Sequence, residues 1–85
     1  MNWNVIDVKS DAPTKTLHIL FRDGTRGTVH FEESHLTGVF AALREDDIFS
    51  QVRLENGVVA WPGEIDLAPD AMYDEIRAHG KWILR

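Results

Sequence analysis

The chain predicts an α+β domain: a small antiparallel sheet of about five strands packed with a short central helix and a C-terminal helix. Three observations carry this. Asp23-Gly24 and Asn56-Gly57 each sit between apolar runs, and such dipeptides tolerate the positive φ of tight hairpin turns. Residues 15–22 alternate Leu17, Ile19 and Phe21 against Thr16, His18 and Arg22, the period of a half-buried strand. Pro69 precedes the stripe Met72, Tyr73 and Ile76, and Gly80 follows it, so a helix starts and stops there.

The remaining elements follow in order. Residues 3–8, rich in aromatic and β-branched side chains, predict a lone first strand, and Ser10 to Pro13 predict a turn. Thr25 to Phe31 is the return strand of the first hairpin, expected as a type I′ turn, with Gly27, Val29 and Phe31 facing inward. Leu36, Val39, Phe40 and Leu43 fall at i, i+3, i+4 and i+7, one face of a short helix. Phe49 anchors a further short turn at 46–49. Residues 51–54 and 58–61 form the second hairpin, and Pro62 must end it because it cannot donate to a ladder. Trp82-Ile83-Leu84 either docks on the domain, contacts a partner or frays. The expected core is Val5, Leu17, Ile19, Phe21, Val29, Phe31, Phe40, Leu43, Phe49, Val52, Trp61, Leu67 and Tyr73.

At 85 residues the expectation is one domain, 1–85. There is no cysteine, so disulfides and thiolate metal sites are excluded. The opening Met1-Asn2-Trp3-Asn4 lacks the basic and apolar stretches of a secretory signal, and no apolar run approaches a membrane span. The expected location is the cytoplasm. Fourteen acids against nine bases give a net charge of −5, and the bases are spread along the chain. A polyphosphate would be repelled by such a surface, which argues against direct nucleic-acid binding.

Catalytic and metal motifs are not found. Ser10, Ser34 and Ser50 lie in no nucleophile elbow, and the pairs Glu32-Glu33, Asp46-Asp47 and Asp74-Glu75 are adjacent without any reason for a shifted pKa. No cofactor is expected. His18 and His30 leave the same outer face of the first hairpin, but His30-x-Glu32-x-x-His35 matches no metal spacing. The acids do cluster: Glu64, Asp66, Asp70, Asp74 and Glu75 have no base among them. With Trp61 and two prolines beside them they are either a solvated helix face next to a core tryptophan or a recognition surface for a basic protein.

Taken together, Trp3, Leu17-x-Ile19-x-Phe21-x-Asp23-Gly24-Thr25, Gly38-Val39-Phe40-x-x-Leu43-Arg44, Phe49-x-Gln51-Val52, Trp61-Pro62 and Asp66-Leu67-Ala68-Pro69-x-x-x-Tyr73 resemble the bacterial domain of unknown function 2442. The resemblance covers about residues 3–73. It implies a small α+β domain with no assigned enzymatic activity. Some members are fused to a helix-turn-helix segment. Others are encoded beside another small protein, domain of unknown function 4160, in a toxin–antitoxin-like arrangement. The usual Trp-Pro-Asn-Gly-Ala-Asp reads Trp61-Pro62-Gly63-Glu64-Ile65-Asp66 here, a departure at the turn.

The expected function is therefore a non-enzymatic interaction or regulatory module. It would be antitoxin-like and bind a small basic protein through Trp61, Glu64, Asp66, Asp70, Asp74 and Glu75. The alternatives are a small-molecule or metal-binding domain using the His18/His30 face, and a nucleic-acid-binding regulator. A homodimer through an edge strand or the Trp82–Leu84 tail is a further option.

Overall fold

Among the described residues seven strands form two sheets rather than one sheet of five. The computed structural model describes residues 3–85; Met1 and Asn2, where the expected domain begins, lie outside the described residues. The strands are β1 (Val5–Asp11), β2 (Thr16–Phe21), β3 (Arg26–Phe31), β4 (Arg53–Glu55), β5 (Val58–Trp61), β6 (Ile65–Asp66) and β7 (Lys81–Leu84). The described residues also form two α-helices, α1 (Asp46–Phe49) and α2 (Pro69–His79), and two 3-10 segments. One sheet runs β1-β2-β3-β7 and the other β4-β5-β6. The first is mixed, because β7 lies parallel to β3. The crossover between them runs through residues 32–80, takes in the smaller sheet and ends with helix α2; a parallel pair needs such a connection and an antiparallel hairpin does not.

The first strand starts later and runs further than residues 3–8. It pairs with β2 from Val5↔Phe21 to Asp11↔Thr16, with a bulge between Val5 and Asp7. The bulge resets the alternation: Val5 is buried, Ile6 is pushed out to 54% exposure, and Asp7, Lys9 and Asp11 then share the outer face.

The first hairpin forms as the alternation requires, with Leu17↔Val29 and Ile19↔Gly27 in register. Its turn is not type I′. Only Gly24 has a positive φ (+90°), whereas type I′ needs two such residues. Phe21 N–H donates to the Thr25 carbonyl at 2.8 Å and Gly24 N–H to the Phe21 carbonyl at 3.0 Å, which makes a three-residue loop. The Asp23 carboxylate accepts the Thr25 N–H at 2.9 Å and holds that loop.

The Asn56-Gly57 turn is the expected one, with φ of +55° and +80°. The departure at Pro62-Gly63-Glu64 is a third turn: Gly63 (+91°) and Glu64 (+64°) reverse the chain so that Trp61 pairs with Ile65. The 36–43 region is not an α-helix. Gly38, at φ +57°, opens a 3-10 segment, Gly38–Arg44, in which Leu43 is buried but Val39 is 72% exposed. Three residues per turn instead of 3.6 rotate Val39 off the face that the α-helical period assigns to it.

The inner face of the β1-β2-β3-β7 sheet, the smaller sheet and α2 share one hydrophobic cluster. Phe31 is its hub, with Phe49 at 5.8 Å and Trp61 at 5.9 Å between ring centroids. Of the expected core, Phe40, Val52 and Tyr73 are only partly buried and pack on its rim. Helix α2 begins at Pro69 and ends at Gly80, whose left-handed backbone (φ +76°) lets its N–H reach the Ile76 carbonyl at 2.7 Å. The Trp82–Leu84 tail is therefore neither frayed nor free: it is β7.

Candidate functional site

Trp61 lies in the core. Its side chain is 1% exposed, and its indole N–H donates to the Phe49 carbonyl at 3.0 Å. Of the two readings of the Trp61–Asp70 segment, the core tryptophan is the one the fold adopts.

The five acids do not form one surface. Glu64 occupies the β5–β6 turn and Asp66 lies on β6; both are exposed. Asp70 and Asp74, one helical turn apart, share an exposed stripe of α2. Arg77 falls on the same stripe one turn further on. Glu75 lies on a different face and reaches His79 at 3.5 Å. Sequence adjacency of Asp74 and Glu75 conceals this, because neighbouring helical residues point about 100° apart.

Next to that stripe, Asp23, Tyr73 and Arg77 make a polar cluster. The Tyr73 hydroxyl donates to the Asp23 carboxylate, and the Arg77 guanidinium stands 3.9 Å from it. The Tyr73 hydrogen bond is the main cause that holds the Asp23 carboxyl below the usual carboxylate range; the Thr25 N–H and hydroxyl and the Arg77 charge add to it. This ties the first hairpin turn to α2 across fifty residues of sequence, and the Phe21 ring meets the Tyr73 ring edge-on at 5.0 Å beneath it.

His18 and His30 do share the outer face of the larger sheet, but not a site. His18 pairs with Thr28, and His30 with Thr16, so they are diagonal neighbours. His30 Nδ1 lies 3.2 Å from the Thr16 hydroxyl, and its Nε2 lies 3.8 Å from Glu32. Among the described residues no three histidine or acidic side chains converge as metal ligands.

Three of the nine bases, Lys9, Arg26 and Lys81, scattered in the sequence, meet on this face. Lys9, His18, Thr28 and Lys81 form one row across four strands, and Arg26 lies in the next row toward the Asp23-Gly24 turn. Strand alternation places Lys9, His18 and Arg26 together, but Lys81 arrives only through the parallel pairing of β7, which no local pattern announces. Asp7 and Asp11 flank the row, and no aromatic side chain stands in it, so a stacking platform for bases is missing from these rows. No helix among the described residues is long and apolar enough to cross a membrane.

No curated protein and no solved structure matches the chain. A family model, described as protein of unknown function (DUF2442), matches residues 5–78, from the start of β1 to the last turn of α2. With that match over most of its length, the chain belongs to the DUF2442 family.

Proposed function

We propose that this chain is a non-enzymatic interaction module of the cytoplasm that binds a small basic protein through the acidic strip of Glu64, Asp66, Asp70 and Asp74. One observation supports the reading above the others. Among the described residues, none of these four exposed carboxylates takes part in an ion pair, whereas Asp46, Glu33, Glu55 and Asp23 each has a lysine or arginine within 4 Å. Unpaired charges of one sign raise the local potential and steer an oppositely charged partner. The gene context attached to the family resemblance, a second small protein in a toxin–antitoxin-like arrangement, agrees with an antitoxin-like role. Relative to the sequence-based expectation, Trp61 and Glu75 leave the contact surface.

The test is a pull-down of the native chain beside the variant Asp66→Asn/Asp70→Asn/Asp74→Asn. The reading expects a stoichiometric basic partner, retained at low salt, weakened as salt rises and lost with the triple variant. A partner that the triple variant retains equally would overturn it, as would recovery of none.

A further inference from the structure

Strand β7 is the last strand of the larger sheet, and among the described residues nothing pairs with its outer edge. On its inner edge the Gly80 carbonyl accepts the Thr28 N–H at 3.3 Å and the Leu84 carbonyl accepts the Glu32 N–H at 2.8 Å. In a parallel ladder alternate residues turn their main-chain groups to the same neighbour. Gly80, Trp82 and Leu84 thus face β3, and the N–H and C=O groups of Lys81 and Ile83 point away from the sheet. Such an edge is a template for another strand.

The side chains on that edge define what it would accept. Lys81 and Ile83 rise on the outer face, and Arg85 continues the alternation just past the strand. Lys81 and Arg85 are exposed, while Trp82 and Ile83 are half-buried. Glu75 and His79 line the same shallow groove, and the Glu75 carboxylate is already beside the His79 ring. The edge is therefore cationic on a chain of net charge −5. A second β7 fits it poorly, since symmetric pairing would bring two Lys81 and two Arg85 side chains into one ladder, and like charges across strands repel. An acidic strand would convert both positions into attractive pairs.

We infer that the β7 edge takes up an extended acidic segment of a partner protein by strand addition. Acids four residues apart lie beside Lys81 and Arg85, and an apolar residue midway between them lies beside Ile83. The strand β1 of a second copy has two acids at that spacing, Asp7 and Asp11, but Lys9 between them where Ile83 calls for an apolar side chain. This site is independent of the acidic strip, and its failure would leave that reading standing.

The experiment titrates isotope-labelled full chain with the capped peptide Thr-Glu-Val-Ile-Val-Glu-Thr and, separately, with the same peptide carrying Lys in place of both Glu. The expected result is saturable NMR shifts centred on Lys81, Ile83 and Arg85 for the acidic peptide only, with slowed amide exchange at Lys81 and Ile83. Lys81→Glu/Arg85→Glu, two surface changes, should weaken the acidic peptide by about tenfold or more and create binding of the lysine peptide. Equal binding of both peptides, or shifts centred on residues 64–74, would overturn the inference. So would sedimentation showing that the chain alone associates through β7, which would make a second copy the occupant.

Discussion

Gly27→Ala is the substitution that most directly tests how β3, α2 and β7 lock together. A Cβ at Gly27 would stand 2.5 Å from the Ile76 Cγ2 atom and 2.6 Å from the Gly80 carbonyl oxygen. The first contact is with a buried side chain (2% exposed), the second with backbone that also accepts the Thr28 N–H. Neither can yield without moving the end of α2 away from the sheet. Overpacking of this kind costs about 1–3 kcal/mol, and the backbone contact places it toward the upper end. Alanine recovers roughly 0.5–1 kcal/mol of the entropy that glycine loses in a strand. The net expectation is a loss of about 2 kcal/mol, or a Tm fall of roughly 8–16 °C for a chain of this size. Denaturant unfolding followed by circular dichroism measures it. In an Ile76→Ala background, itself destabilised by about 2–5 kcal/mol, the added cost of Gly27→Ala should shrink but not vanish, because the Gly80 carbonyl remains. A Gly27→Ala protein within about 0.5 kcal/mol of the parent would refute the close packing of α2 on β3.

Tyr73→Phe removes the donor that chiefly depresses the Asp23 pKa, so that pKa should rise toward the ordinary value in an NMR titration; no change would mean that the hydrogen bond is not formed in solution. The sign follows from linkage: a carboxyl depressed in the folded state stabilises above its unfolded pKa of about 3.9, and that stability is lost as pH falls through the folded value. The stability gap between parent and Tyr73→Phe should therefore be largest near neutrality and narrow in acid. Trp61→Phe should cost about 2–3 kcal/mol in chemical denaturation, from lost ring volume and one hydrogen bond, since the Phe49 carbonyl keeps the Val52 N–H at 3.3 Å. Gly57→Ala and Gly24→Ala should each cost about 1–2 kcal/mol by the same assay, because both positions are left-handed, at φ +80° and +90°. Asn56→Gly, at a position already left-handed (φ +55°), should be close to neutral.

Local chemistry made part of this fold legible. The Leu17, Ile19 and Phe21 alternation and the two turn dipeptides gave both hairpins, and Pro69 and Gly80 gave both ends of α2, because each signal is complete within a few residues. What could not be read depends on distant chain. Lys81–Leu84 carries no alternation long enough to announce a strand; it becomes one because α2 delivers it to the edge of β3. Gly27 reads only as an inward-facing residue of the return strand until Ile76 and Gly80 are seen above it. The β1 bulge breaks the strand's period at Ile6, so the sequence predicts the first strand at residues 3–8 but does not show its run on to Asp11. The candidate site suffered in both directions. Adjacent letters overstated the acidic cluster, which the helix divides between two faces, and scattered letters understated the basic one.

That inversion follows from how secondary structure maps sequence onto a surface. On α2, acids at successive positions diverge, and only those three or four apart share a face. On the sheet, residues from four separated segments stand side by side: Lys9, His18, Thr28 and Lys81 span most of the chain yet occupy one row. A net charge of −5 therefore says little about any one face. The cationic row ends at Lys81, on an edge strand of the larger sheet whose outer main-chain groups pair with nothing among the described residues. Its place there does two things at once. Lysine on an open edge opposes pairing with a second copy, and it leaves the edge selective for a strand of opposite charge. A neutral residue at 81 would keep the backbone template and lose that discrimination. Lys81→Thr should accordingly bind the acidic and lysine peptides with affinities closer to one another than the parent does, and a parent-like preference in that variant would place the selectivity elsewhere than at Lys81.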